Sequence, residues 1–250
     1  EKLDAIVFSP HKFLGGPGSS GVLIFDKHLY KNKTPDQPGG GTVSWTNPWG
    51  EYRFIDDIES REDGGTPGFL QAIRAALSIS LKEKMGIDKI QQREEELKNI
   101  LLSELAKDPQ LQVLEPNKHR LGIISFYYPN VHYNLIVKLL NDHFGVQTRG
   151  GCSCAGTYGH ILLNVDQQHS QSITCKIDQG DLSEKPGWVR VTLHPTMTNA
   201  EIYYIANAIH DVLKNYREWE QDYIFDCKTA EFKHRSRCYT QHLSLANIKY

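Results

Sequence analysis

The sequence is short of the features that mark several specialised classes of protein. None of its apolar runs approaches the length needed to cross a bilayer, and its N-terminus lacks the basic region and hydrophobic core of a signal peptide. Its net charge of −2 gives no electrostatic reason to expect nucleic acid or a membrane as a partner. There is no internal repeat and no low-complexity tract. With 250 residues, of which 39% are hydrophobic, the sequence fits one large or two modest soluble domains.

The sequence contains an odd number of cysteines. The five cysteines follow no regular spacing: Cys152, Cys154, Cys175, Cys227 and Cys238. This argues against a disulfide framework and favours a reducing compartment, with one or two reactive thiols. We therefore expect a cytoplasmic protein, with an organelle as the alternative location.

Apolar periodicity predicts a chain of mixed α and β structure. Strands are predicted at residues 4–9, 21–26, 111–114, 123–128, 146–148 and 188–193. Helices are predicted from Pro67 to Gly86, from Asp88 to Lys107, from Asn134 to Phe144 and around residues 202–213. Residues 31–66 are rich in glycine, proline, asparagine and aspartate, which predicts a long functional loop. The polar stretch 160–187 and the tail beyond Tyr223 show no clear period.

The first candidate site is the segment Ser9-Pro10-His11-Lys12, which follows an apolar strand and precedes a glycine-rich loop. A lysine that forms a Schiff base needs a depressed pKa in a buried, polar-lined position, and an apolar strand followed by a glycine-rich turn is how such a position is built. Ser9 and His11 can donate to a phosphate, and the glycines allow a close approach of the backbone. A strand-to-strand turn with incidental polar residues is the alternative.

This segment resembles the cofactor-lysine segment of the class V aminotransferase family of pyridoxal-phosphate (PLP) enzymes. The resemblance implies that Lys12 forms the Schiff base with PLP and that Ser9 and His11 contact its phosphate. A triple-glycine turn at 39–41 and an acidic-Gly-Thr-Pro segment ending at Pro67 follow in the family's order. In that family the second segment reaches into the neighbouring subunit, which implies a homodimer with Thr66 at the cofactor phosphate.

A second candidate site is the run Arg149-Gly-Gly-Cys-Ser-Cys-Ala155. It resembles the Arg-x-Gly-x-x-Cys-Ala stretch of cysteine desulfurases and selenocysteine lyases, which implies that Cys154 is the catalytic cysteine. Its thiolate would attack the sulfur of a cysteine–PLP adduct. Cys152 departs from the family's pattern and leaves open which thiol reacts. An inert structural thiol is one alternative.

A metal site is the other alternative for these cysteines, because Cys152, Cys154 and His160 form a Cys-x-Cys-x5-His pattern. The pattern lacks the usual Cys-x2-Cys spacing, and no fourth ligand is obvious. We therefore expect no metal.

The third candidate is Arg190 in the run Trp188-Val-Arg-Val-Thr-Leu193. It resembles the strand whose arginine binds the substrate α-carboxylate in class V enzymes, a task that suits the bidentate guanidinium. Arg149 is a second candidate contact to the substrate. The alternative is an arginine paired with a surface acid. The long stretch between His160 and Gly187 resembles a branch of the family that is usually labelled desulfurase-like or class V aminotransferase.

The resemblance, which runs from Leu3 to about Leu213, implies an α/β fold: the C-terminal part of a PLP-dependent transferase of fold type I. Residues 1–105 would complete the large PLP-binding domain with its connecting helices, and residues 106–250 would form the small α+β domain and a tail. The N-terminal half is absent from the sequence, and a start at Glu1 rather than methionine fits a fragment or a processed chain.

The implied function is that of a cysteine desulfurase-like enzyme, which converts L-cysteine to L-alanine and leaves sulfur on the enzyme as a persulfide. A small amino-acid substrate, a second subunit and a sulfur-acceptor protein are the expected partners. The alternatives are another class V enzyme, namely a selenocysteine lyase or an aminotransferase, and a truncated, non-catalytic module that cannot hold PLP alone.

Overall fold

The computed structural model describes residues 3–115 and 120–236. The chain folds as two compact units, which divide between Lys89 and Ile90. Among the described residues, none of the helices has the length and apolar character needed to span a bilayer. Cys238 lies outside the described residues.

The first unit contains two antiparallel hairpins followed by helices. Its elements are β1 (Ala5–Phe8), β2 (Val22–Phe25), β3 (Val43–Thr46), β4 (Tyr52–Phe54), α1 (Ile58–Glu62) and α2 (Phe69–Met85). β1 pairs with β2 and β3 pairs with β4. β1, β2 and α2 confirm the sequence prediction. Residues 31–66 do not form the plain loop that was predicted, because they also contain the second hairpin and α1.

Large apolar side chains remain exposed on this first unit. Val7 in β1 is 78% exposed, and Leu70 and Leu77 in α2 are 71% and 65% exposed. Apart from proline, Ala75 is the only aliphatic or aromatic residue that is buried within residues 3–89. Apolar surfaces of this kind usually bind further protein.

The second unit is built on a four-stranded antiparallel sheet with the order β5-β6-β8-β7. Its elements, with α3 crossing the division between the units, are α3 (Ile87–Leu105), β5 (Gln112–Val113), β6 (Ile123–Tyr127), α4 (Tyr133–Phe144), β7 (Arg149–Gly150), α5 (Gly156–Leu162), α6 (Gln167–Asp178), β8 (Val189–Thr192), α7 (Asn199–Trp219), β9 (Tyr223–Asp226) and β10 (Glu231–His234).

Helices α3, α4 and α7 share one core with this sheet. α3 contributes Leu97, Leu101 and Leu105, none of which is exposed to solvent. This packing explains why the unit begins near the start of α3. The division that we drew from sequence, between residues 105 and 106, concerns the domains of the whole protein and stays a prediction.

Helix α7 begins, and helix α4 ends, at residues of a type that marks helix ends in a sequence. The Thr198 side chain accepts from the Glu201 N–H, and the Glu201 carboxylate accepts from the Thr198 N–H, which forms a capping box at the start of α7. Gly145 ends α4 with a left-handed φ of 66°. These signals and the apolar period account for the agreement between the predicted and observed helices.

One strand of the second unit was predicted wrongly, and two segments without a predicted element form regular structure. The short strand lies at Arg149–Gly150 rather than at 146–148, because the Val146 N–H still bonds the Leu140 carbonyl at the end of α4. The polar stretch 160–187 contains the end of α5 and all of α6. Residues 223–234, for which the sequence shows no clear period, form the β9–β10 hairpin.

Candidate active site

The turn after β1 carries Lys12. Residues Pro10–Lys12 form one turn of 3-10 helix, which the Phe13 N–H closes by donating to the Pro10 carbonyl at 2.8 Å. The glycine loop folds back on this turn so closely that a Cβ on Gly16 would lie 1.9 Å from the Pro10 oxygen. Only glycine fits there. The loop therefore fixes the backbone around Lys12, whose side chain is exposed in this chain and not buried as the sequence pattern predicts.

Helix α2 supports the glycine loop from the side. Arg74 donates from Nη1 to the Pro17 carbonyl at 2.8 Å. The Lys82 ammonium lies 5.0 Å from the centre of the Phe13 ring, within the range of a cation–π contact. These contacts hold Phe13 and Pro17 of the loop against α2.

Two more donors share the turn with Lys12. Ser9 precedes it with a hydroxyl that makes no capping hydrogen bond, and Ser9 and His11 are both exposed. A hydroxyl and an imidazole are donors that suit a phosphate, and a primary amine is the group that condenses with an aldehyde. The donor set of this turn therefore fits pyridoxal phosphate.

The two glycine motifs of the loop region meet in the structure. The Gly65 N–H donates to the Gly40 carbonyl at 2.8 Å, and a Cβ on Gly64 would lie 2.7 Å from the Gln37 oxygen. The backbones are therefore in direct contact, and the junction presents Thr66 at the surface. Among the described residues of this unit, no hydrogen bond joins Thr66 to the Lys12 turn.

The cysteine loop of the second unit follows β7 and is confined by glycines. A Cβ on Gly150 would lie 2.3 Å from the Asn134 amide oxygen, and one on Gly187 would lie 2.7 Å from the Gly151 Cα. The Gly151 N–H also donates to the Trp188 carbonyl at 3.0 Å. The loop is therefore held between the start of α4 and the segment that leads into β8.

The two cysteines of this loop have different environments. Cys152 is half-buried, and its thiol donates to the Pro186 carbonyl at an S···O distance of 3.1 Å. Burial raises the pKa of the Cys152 thiol, and the Lys185 ammonium partly opposes that rise. Cys154 is exposed. Since the thiolate is the nucleophilic form, the accessible Cys154 suits sulfur chemistry better than Cys152 does.

Arg149 and Arg190 face each other across the β7–β8 pair. Directly opposed residues of an antiparallel pair point to the same face of the sheet, and like charges in that position repel each other. Within residues 90–115 and 120–236, neither arginine forms an ion pair, and the buried Nε of Arg190 has no hydrogen-bond partner. The alternative of an Arg190 paired with a surface acid is therefore absent from this part of the chain. The two guanidinium groups are available to an anion.

The metal alternative has no geometric support in the part of the chain that the structure describes, where no three His, Cys, Asp or Glu side chains are grouped to hold an ion. Both ring nitrogens of His160 are engaged: Nδ1 lies 2.9 Å from the Gly156 carbonyl and Nε2 lies 2.9 Å from the Ser170 hydroxyl. His160 links α5 to α6.

The structure adds residues that our sequence reasoning did not single out. Tyr133 closes the cysteine loop from the side of α4, where it would meet any side chain at residue 150 or 187. Pro186 supplies the carbonyl that binds Cys152. The signal available in the sequence was Gly187 beside the predicted strand, because a glycine there often marks a close approach of two backbones.

Comparison with known proteins identifies the family. A model of the family described as "Aminotransferase class-V" matches residues 1–205. A probable cysteine desulfurase of Pyrococcus abyssi is 34% identical over 157 residues, which are 62% of this chain and 38% of the relative. A cysteine desulfurase of Wigglesworthia glossinidia brevipalpis is 30% identical over 182 residues, which are 72% of this chain and 42% of the relative.

Solved structures of cysteine desulfurases show the same fold. The apo enzyme of Thermococcus onnurineus NA1 matches with a TM-score of 0.65 at 24% identity, over 85% of this chain and 47% of that one. The enzyme CsdA of Escherichia coli matches with a TM-score of 0.66 at 22% identity, over 85% of this chain and 46% of that one. The chain thus spans less than half the length of these relatives.

The matches confirm the fold that the sequence predicts, which is part of an α/β protein of fold type I. The family match includes the Lys12 turn, both glycine motifs, the cysteine loop and β8. It covers most of the sequence, and the chain therefore belongs to the aminotransferase class-V family.

Proposed function

We propose that this chain forms part of a PLP-dependent, cysteine desulfurase-like enzyme, which converts L-cysteine to L-alanine and retains the sulfur on Cys154. The observation that carries the proposal is the cysteine loop, where an exposed thiol on a glycine-confined turn follows β7, and where Arg149 and Arg190 oppose each other without acidic partners among the described residues. A thiol and a carboxylate-binding pair are the groups that a sulfur-bearing amino acid requires.

The arginines bind and orient the substrate in this proposal. Arg190 would bind the α-carboxylate in the bidentate manner of a guanidinium, and the lack of a hydrogen-bond partner for its Nε among the described residues supports that assignment. Arg149 lies opposite and would make a second contact to the same end of the substrate. Binding an anion here would also remove the repulsion between the two guanidinium groups.

The Lys12 turn would hold the cofactor, with Ser9, His11 and the Thr66 hydroxyl as donors to the phosphate. Pyridoxal phosphate, when bound, supplies an electron sink for the bonds of an amino acid. The Lys12 amine would attach the cofactor and then take and return the proton at the substrate Cα.

The attachment is tested by borohydride reduction of the holoenzyme, which fixes the cofactor on the lysine that holds it. Peptide mapping should find the pyridoxyl group on Lys12. Lys12→Ala should lose the label, and Lys33→Ala, a change at an exposed lysine of the loop region, should keep it. A label on another lysine would contradict the assignment.

The sulfur step belongs to Cys154. Its thiolate would attack the sulfur of the substrate, so that a new S–S bond forms while the Cβ–S bond breaks. The electron pair of the broken bond stays with the Cβ carbon, where a proton completes alanine. The step needs no external oxidant, because the Cβ carbon that keeps the electron pair is reduced by two electrons as the sulfur is oxidised to the level of a persulfide.

We further propose a homodimer, a sulfur-acceptor protein that removes the persulfide sulfur, and a reducing compartment, with the cytoplasm first and an organelle as the alternative. The dimer is supported by the Gly-Gly-Thr-Pro segment, which in this family reaches the neighbouring subunit. The reducing compartment is supported by the four described cysteines, which are all free thiols.

The proposed function is tested by incubating the holoenzyme with L-cysteine and a reducing thiol, and by measuring alanine, sulfide and keto acid. We expect alanine and sulfide in equal amounts. A keto acid as the main product would identify an aminotransferase, and turnover of selenocysteine alone would identify a selenocysteine lyase. A purified protein that binds no PLP would support the non-catalytic alternative.

A further inference from the structure

Cys152 is the residue of the cysteine loop that the family pattern does not explain. Its side chain is half-buried, and its thiol donates to the Pro186 carbonyl at 3.1 Å. A Cβ placed on Gly159 would lie 3.0 Å from the Cys152 sulfur and 3.3 Å from the Trp188 ring. The sulfur therefore lies in a fitted space between α5 and the segment that leads into β8.

The backbone of Cys152 is fixed as well. Its carbonyl accepts a hydrogen bond from the Ala155 N–H at 3.1 Å, and Ser153 within that turn has a left-handed φ of 57°. Gly151, just before it, has a φ of 95°. Glycine adopts such a φ readily, whereas the left-handed conformation of Ser153 is unfavourable without support, so the turn that carries Cys154 depends on its anchors.

We propose that Cys152 is a positioning residue, whose thiol anchors the loop to the Pro186 carbonyl and thereby holds Cys154 in the geometry for sulfur transfer. The inference rests on the proposed function, in which Cys154 receives the sulfur. Cys152 itself does not carry sulfur, because its thiol is occupied as a donor and its access is restricted. The raised pKa of Cys152 agrees with these separate roles for the two cysteines, since the thiol form of Cys152 predominates at neutral pH.

The first test is alkylation of the resting holoenzyme with iodoacetamide, followed by peptide mapping. This readout needs no turnover, so it judges the role of Cys152 even if the enzyme is not a desulfurase. We expect Cys154 to be labelled faster than Cys152 by roughly tenfold or more at neutral pH. The difference between the two labelling rates should become smaller as the pH rises and Cys152 ionises. Equal rates at neutral pH would overturn the proposal.

The second test compares Cys152→Ala with Cys152→Ser in steady-state kinetics. Alanine removes the donor, and we expect kcat to fall by roughly five- to tenfold with little change in KM. Serine keeps a donor for the Pro186 carbonyl and should restore kcat to within about twofold of the wild type. Cys175→Ala, at an exposed cysteine of α6, is the matched control and should behave as the wild type. A kcat for Cys152→Ala equal to that of the control would overturn the proposal.

Gly159→Ala provides a variant that keeps the thiol but displaces it. The added methyl group would occupy the space of the Cys152 sulfur, so it should lower kcat as Cys152→Ala does. The double variant should be no worse than either single variant, because both changes break the same contact. Losses that multiply in the double variant would contradict a shared contact. Thermal melting of each variant separates a loss of folding from a loss of positioning.

Discussion

At the scale of single residues, the proposed recognition of substrate depends most clearly on Arg190. Its position opposite Arg149 places two positive charges on one face of the sheet, and its buried Nε has no partner in the described part of the chain. An arginine that served only a surface ion pair would have an acidic side chain within reach of its guanidinium group. The arrangement therefore favours an anion that arrives from outside.

Arg190→Lys keeps the charge but loses the planar fork that binds a carboxylate through two hydrogen bonds. We expect KM for L-cysteine to rise by roughly tenfold, with kcat changed less, because one charge-assisted hydrogen bond is lost. Steady-state kinetics of the holoenzyme measures this. Arg217→Lys, at the exposed end of α7, is the control. A KM unchanged by Arg190→Lys would remove Arg190 from the substrate site.

The residue types of the site were predictable, but their environments were not. The Lys12, Cys154 and Arg190 motifs are local in sequence, so the family resemblance can identify them. The contrast between Cys152 and Cys154 depends on Pro186, which lies 34 residues further along the chain. Burial set by such distant contacts leaves no local pattern in the sequence.

Whole elements were predicted well where the chain carries both a period and end signals. Helix α7 has an apolar face and a capping box, and helix α2 ends at Gly86. The β7 strand was misplaced because it is only two residues long, and its pairing with β8 decides its position. Helix α6 was missed because its polar sequence buries only Ile173 among its residues.

The capping box of α7 gives a prediction about stability. Hydrogen bonds from the Thr198 backbone and side chain lower the pKa of Glu201, so the ionised carboxylate stabilises the folded state. That stabilisation is present above the unfolded pKa of Glu201 and is lost as the pH falls through the lower, folded pKa. Thr198→Ala should cost about 1 kcal/mol of the free energy of unfolding near neutral pH, and less in acid.

Thermal or chemical unfolding at several pH values tests this prediction. Thr196→Ala is a nearby control, because Thr196 bonds the His194 ring outside the helix. A destabilisation by Thr198→Ala that stays constant from neutral pH to strong acid would show that the box does not act through the Glu201 charge.

At the scale of the whole molecule, the two units differ in how complete they are. The second unit has a continuous core of sheet and helices, whereas the first leaves the side chains of β1 and α2 exposed. The relatives are more than twice as long as the matched segment, which agrees with a first unit that packs against further protein. The sequence could not predict which faces remain exposed, because that depends on how β1 and α2 pack.

The proposed dimer makes a prediction that mixed subunits can test. If Thr66 serves the site of the partner, a dimer of one Lys12→Ala subunit and one Thr66→Ala subunit has one site with both changes and one site with neither. Activity should therefore reappear when the two inactive or weakened variants are mixed and allowed to exchange subunits, measured at limiting pyridoxal phosphate.

If Thr66 acts within its own subunit, every site of the mixed dimer carries one change, and no activity should be recovered. The control is each variant taken through the same exchange alone. Recovery in the mixture and not in the controls would support an exchanged Thr66, and its absence in proven mixed dimers would refute it.

The most direct test of the proposed chemistry is the location of sulfur after a single turnover. The holoenzyme would be given L-cysteine without a sulfur acceptor, alkylated, digested and analysed by mass spectrometry of the peptide that follows Arg149. We predict one additional sulfur atom on Cys154 and none on Cys152 or Cys175. The Cys154→Ser variant should carry no additional sulfur while it still binds pyridoxal phosphate. Sulfur on Cys152 with Cys154 unmodified would contradict the assignment of the nucleophile, and alanine formed with no sulfur on any cysteine would contradict the persulfide mechanism.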